Sequence, residues 1–143
     1  MTTLFLLLLL IILVVLSGFL SGSETAITAT SKARILYRKK RGSKRAGYVL
    51  ELLNKKDNVI STLLLSNNLV NILASSLATA FFYDLFGVEG IFYATLIMTV
   101  VIVIFAEVLP KTYAINRPNR TALIISPIIY YLNKILFIFV FVI

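Results

Sequence analysis

Long apolar runs, interrupted by polar residues at helical spacing, set the organisation of this chain. The first run, residues 1–20, passes from MTTLF into LLLLLIILVVLSGFL without a charge. At about 1.5 Å per residue it covers most of a hydrocarbon core of roughly 30 Å. A second run, VISTLLLSNNLVNILASSLATAFF from Val59 to Phe82, and a third, from Ile91 to Phe105, have the same character. The pattern predicts an all-α membrane protein with three spanning helices, at about 3–26, 58–83 and 90–109. Between the first two runs, Ser31 to Asp57 alternates basic residues with Ile35, Leu36, Val49, Leu50, Leu52 and Leu53. That alternation predicts juxtamembrane helices over about 31–56 that lie along a membrane surface as a belt, with lysine and arginine stems reaching to the headgroups and Gly42 dividing two of them.

The last stretch, 121–143, is apolar but carries Pro127 early and Asn133 with Lys134 near its middle. Too few apolar residues follow Lys134 to cross, so the expectation is a kinked interfacial or re-entrant segment with a cytoplasmic C-terminus. The chain ends inside an apolar run, which predicts further chain removed beyond Ile143. A secretory signal peptide competes for the first run, but no basic residue precedes it and the small residues of SGFLSGS only loosely imitate a cleavage site.

Composition sharpens this picture by exclusion. The 143 residues are 59% apolar and contain no cysteine and no histidine, which removes disulfides, thiolate sites, the usual general base and the commonest transition-metal ligand. No nucleophile and base pair stands out, so the chain does not read as an enzyme. The net charge of +8 could suggest nucleic acid. The basic residues concentrate between Lys32 and Lys56, however, directly after an apolar run, and that placement marks a cytoplasmic face against anionic lipid. A multi-pass cell-membrane protein with an extracellular N-terminus follows. Tyr83 to Gly90, with Asp84 and Glu89 and no basic residue, falls outside.

Polar residues inside the apolar runs are the candidate chemistry. On the second run Asn67, Asn71, Ser75 and Thr79 recur every four residues, with Ser66 and Asn68 beside them, and line one side of a greasy helix. One interhelical hydrogen bond, worth about 0.6 kcal/mol, needs one asparagine; three within five residues suggest a ligand site. On the first run Ser17, Ser21, Thr25 and Thr28 share a face, and Gly22 between two serines reads as a weak point that frees backbone oxygen. A small-residue packing seam is the competing reading, and both can hold together. Glu24 has Lys32 and Arg34 a turn or two away and needs no special role. The third run ends in FAEVLPKT, where Glu107 brings a carboxylate into the membrane and Pro110 removes the hydrogen bond that the carbonyl of Ala106 would accept. Carboxylate and carbonyl oxygens together suit magnesium or calcium. A simple Glu107–Lys111 pair in the favoured order competes on equal terms.

Three motifs in order, FLSGSETA at 19–26, LLLSNNLVNILAS at 63–75 and IFAEVLPKT at 104–112, resemble the transmembrane domain of the CorC and cyclin M (CNNM) magnesium transporters. The resemblance covers most of residues 5–120. It implies a homodimer with three spanning helices per subunit, a belt of juxtamembrane helices and a cation site at Ser21, Gly22, Ser66, Asn67, Asn71, Glu107 and Pro110. The transported ion would be Mg2+, with export and coupling to Na+ as family-level expectations. Family members usually continue into cytoplasmic CBS domains that bind ATP, and none is present in this chain. The alternative reading is a membrane anchor and dimerisation module for such a cytoplasmic sensor, without transport.

Overall fold

The computed structural model describes the backbone of residues 2–142 and the side chains of residues 3–136. The helices are α1 (Thr2–Ala29), α2 (Lys32–Lys40), α3 (Lys44–Asn54), α4 (Lys56–Phe86), α5 (Glu89–Val101), α6 (Leu109–Asn116) and α7 (Pro118–Val142). A π-helical segment, Ile102–Val108, joins α5 to α6, so one continuous run reaches from Glu89 to Asn116. Among the described residues there is no strand. Three helical runs are long and apolar enough to cross a membrane, Thr3–Ala29, Lys56–Phe86 and Glu89–Asn116. The all-α membrane architecture predicted from the apolar pattern is the one observed.

Helix α1 is the hub. It packs along α4 and also meets the π segment, α6 and α7, while α5 packs on α4 and α3 on α7. Exposed positions in the first half of α1, among them Phe5, Leu8, Ile12 and Val15, are apolar, whereas Ser17, Ser21 and Ser23 are buried. The same inversion holds on α4, where Leu69, Ile72 and Leu73 face outward and Asn67 is buried. Apolar residues outside and polar residues inside is the arrangement of a helix bundle whose solvent is lipid.

Two apolar clusters flank that polar interior. The larger one gathers Leu20 and Ile27 of α1 with Ile35 of α2, Val49 and Leu52 of α3, Val59 and Leu63 of α4, and Ile129 of α7. The smaller one joins Leu10 of α1, Ala74, Ala78 and Phe81 of α4, and Met98 of α5. Along α1 the serines at 17 and 21 fall between Leu10 and Ile27, and Leu13 packs against both clusters.

Local chemistry sets the turns. Ser31 and Ser43 cap α2 and α3 by accepting hydrogen bonds from the backbone N–H groups of Arg34 and Ala46. Gly42, at φ +93°, makes the turn between these helices. The side chain of Asn119, at the start of α7, accepts from both Thr30 Oγ1 (2.6 Å) and the Ser31 backbone N–H (2.8 Å), tying the α1–α2 junction to α7.

Helix α7 passes through Pro127 as one helix, with Tyr48 of α3 against Tyr130 at 4.9 Å between ring centroids. It packs on α3, α1 and α4. The expectation of removed chain beyond Ile143 concerns an end that lies outside the described residues.

Candidate cation site

Two neighbouring faces of α1 organise the polar layer. Ser17 and Ser21 turn toward α4. The Ser17 hydroxyl donates to Asn67 Oδ1 at 2.8 Å and also lies against Asn71 Oδ1, while Asn67 Nδ2 donates to Ser21 Oγ at 3.1 Å. Gly18 and Gly22 turn toward the third run. A Cβ at Gly18 would meet the Phe105 carbonyl oxygen and Pro110 Cγ, each at 3.2 Å, and one at Gly22 would meet Pro110 at 3.4 Å. The three sequence motifs therefore meet across α1, with hydroxyls toward the asparagines and glycines toward the proline.

Between α1 and α4 two amide oxygens converge on one hydroxyl. Ser17 has one hydrogen to give, yet two amide oxygens face it. Four oxygens, from Ser17, Ser21, Asn67 and Asn71, lie in one buried or half-buried layer. Ser66 is half-buried on α4 and takes no part in these bonds. Asn68 is exposed.

The third motif departs from simple helix geometry. The backbone N–H of Leu109 bonds the carbonyl of Ile104, five residues back, as a π-helix requires. The next donor in that register would be Pro110, which has none, and its acceptor would be Phe105. Counting four residues back from Pro110 places the freed carbonyl at Ala106; the π register moves it to Phe105, whose oxygen is the atom nearest Gly18. The loss of that one bond does not end the helix, which continues from Pro110 to Asn116.

Gly22 does not behave as a weak point. Helix α1 runs unbroken through it, and the missing side chain serves the approach of Pro110. Glu107 pairs with Lys111 at 3.2 Å and is one-third exposed. Glu24 has Lys111 and Glu107 as its electrostatic neighbours. This corrects the assignment of Lys32 and Arg34, because α1 runs to Ala29 and carries Glu24 beside α6, away from α2. Lys111 is paired with Glu107 alone, and Glu24 lies within electrostatic reach of both. Among the described residues no group of three or more acidic side chains forms.

Sequence reasoning placed Ser17 on the serine face without counting it among the ligands, and it passed over Gly18 and Phe105. Ser17 was legible, since it lies one turn before Ser21 on the same face. Gly18 had a signal too, four residues before Gly22 on an apolar helix, the spacing that lets helices approach closely.

An all-α membrane domain with a buried amide and hydroxyl layer between two of its three spanning helices is the class this fold defines. Within it, the Cyclin M transmembrane N-terminal domain family matches residues 8–143, and this chain belongs to that family. The UPF0053 inner membrane protein YfjD of Escherichia coli K12 is 40% identical over 131 residues, covering 84% of this chain and 31% of that protein. A UPF0053 protein of Haemophilus influenzae is 38% identical over 137 residues, 96% of this chain and 32% of its own length. A chloroplastic DUF21 domain-containing protein of Arabidopsis thaliana is 33% identical over 124 residues, 85% of this chain and 18% of its own. The chain thus spans about a third of its bacterial relatives.

Proposed function

We propose that this domain carries a divalent cation, magnesium first, across the cell membrane through the layer between α1, α4 and the π segment. The observation that carries the reading is the crowding of Asn67 Oδ1 and Asn71 Oδ1 on the single Ser17 hydroxyl. Both amide oxygens turn to one hydroxyl, which leaves lone pairs in the layer that a small cation would take. Ser21 and Ser17 hydroxyls and the Asn67 and Asn71 amides supply neutral ligands. The Phe105 carbonyl, on the neighbouring face of α1 beside Gly18, would join them as the third run moves. Magnesium accepts such oxygens only in near-octahedral geometry and gives up water reluctantly. A set with few formal charges strips part of its hydration shell without holding the ion too tightly to release.

Glu107 supplies the charge. In the present geometry Lys111 neutralises it, so cation entry competes with that ammonium, and Glu24 nearby offers Lys111 a second carboxylate. Release of Lys111 from Glu107 to Glu24 would expose Glu107 to the ion. Sodium coupling and an export direction belong to this proposal at the family level, as do the homodimer, the extracellular N-terminus and the cytoplasmic CBS domains.

The test is magnesium binding and flux with purified protein in liposomes, comparing wild type, Glu107→Gln and Asn71→Ala. A loss of affinity or flux in both variants is the expected result; unchanged binding and transport in both removes the site. A second reading, a membrane anchor for a cytoplasmic sensor, draws on the same Glu107–Lys111 pair and on the bonding of Asn67 to both serines, which satisfy these groups without an ion. It predicts no magnesium movement in wild type under any gradient.

A further inference from the structure

The chain has six arginines, at 34, 38, 41, 45, 117 and 120, and eight lysines. Three adjoining open depressions, of about 740, 570 and 310 Å³, lie along α2, the α2–α3 turn and the start of α7. Their linings share residues: Arg38 borders all three, and Arg34, Ser43 and Arg120 border two each. Every arginine in the chain lines this basin, and no lysine does. Lys32, Lys39, Lys40 and Lys44 alternate with the arginines in sequence yet project elsewhere.

A diffuse positive surface has no reason to sort its cations by type. Guanidinium and ammonium carry the same charge, so a topology signal or a general attraction to anionic lipid is served equally by either. What separates them is geometry, because the planar fork of arginine makes paired hydrogen bonds to phosphate and the ammonium of lysine acts as a point charge. The fold also brings Arg117 and Arg120 to Arg34 and Arg38 from far along the chain. No acidic residue lines the basin, and among the described residues the only ion pair is Lys111–Glu107. Six like charges gathered without a carboxylate call for an anionic occupant.

We propose that this arginine basin binds the phosphate of an acidic phospholipid headgroup. The walls favour a lipid over a soluble phosphate. Leu123 and Ile124 line one depression, Ala33 and Tyr37 another, and Leu36 and Tyr37 are exposed on α2 beside the arginines, where a glycerol and the start of an acyl chain would lie. Arg45 is steadied by donating to the Ile124 carbonyl at 3.3 Å, and Arg41 by stacking over Tyr37 at 5.1 Å. A bound headgroup would bridge α2, which follows α1, to the α6–α7 junction, which follows the π segment. The proposal stands whether or not the domain moves ions.

The full chain, purified in neutral detergent, is titrated with short-chain phosphatidylglycerol, phosphatidylcholine and inorganic pyrophosphate while thermal unfolding is followed by circular dichroism. Phosphatidylglycerol is expected to raise the midpoint, and phosphatidylcholine is not. In Arg38→Lys with Arg120→Lys, which keeps the charge, the concentration for half the shift should rise roughly tenfold. In Lys39→Gln with Lys40→Gln, which removes two charges outside the basin, it should stay within about twofold. Arg34→Lys repeats the first comparison should the double variant unfold. Equal binding by the lysine variants, or an equal loss in the glutamine variant, would reduce the basin to a diffuse charge effect and overturn the proposal. A matching shift with pyrophosphate at the same phosphate concentration would overturn the lipid as occupant.

Discussion

At the scale of single residues, Ser17 is the most consequential side chain in the polar layer. Ser17→Ala leaves two amide oxygens facing each other with no hydrogen between them, and a buried acceptor without a donor costs about 1–3 kcal/mol. Ser21→Ala leaves one amide hydrogen of Asn67 without its acceptor, a single orphaned atom against two. Thermal unfolding in detergent should rank Ser17→Ala as clearly the more destabilising, and an equal or reversed order would refute this account of the layer. The glycines separate in the same way. A Cβ at Gly18 is pressed against the backbone oxygen of Phe105 and the Pro110 ring at 3.2 Å, whereas one at Gly22 makes ordinary contact at 3.4 Å. Gly18→Ala should therefore lower the unfolding midpoint measurably and Gly22→Ala should leave it nearly unchanged.

At the scale of elements, the π segment is what a sequence reading could not supply. Hydropathy showed that a third helix exists, and Pro110 showed that a carbonyl near Glu107 loses its donor. Which carbonyl depends on whether the turn before Pro110 closes over four residues or five, and that is settled by packing against α1. Asn67 and Asn71 were legible because three asparagines in a greasy helix violate its composition. Their partner Ser17 drew less weight, since a single serine in an apolar run is unremarkable until α4 lies beside it. Glu24 misled through proximity in sequence: the end of α1 turns it to Lys111 and Glu107, which are far along the chain. The π register carries its own prediction. Pro110→Ala restores an N–H that can bond the Phe105 carbonyl, so helix content by circular dichroism should be unchanged while magnesium affinity by calorimetry falls. Unaltered affinity would exclude Phe105 as a ligand.

At the scale of the whole molecule, surface and transmembrane helices are joined at few points. Asn119 is one of them, accepting from both Thr30 and Ser31 where α1 hands over to α2. Asn119→Ala should raise amide hydrogen exchange at residues 30–32, with little change in the middle of α1, where the serines and Asn67 hold the helix. Uniform exchange along α1 in the variant would show that α7 does not restrain this corner. The surface helices themselves were foreseeable from alternating apolar and basic residues. The sorting of arginine from lysine was not, because it arises only when α7 brings Arg117 and Arg120 to α2.

The two neighbouring faces of α1 differ mechanically as well as chemically. Toward α4 it is latched by directional bonds that tolerate no shift in register. Toward Pro110 it offers a bare track where a smooth ring can glide with little resistance. A conformational cycle in this domain would accordingly keep α1 and α4 together as one body and let the run from α5 to α6 travel along that track, so that displacement is greatest where the Phe105 carbonyl passes Gly18.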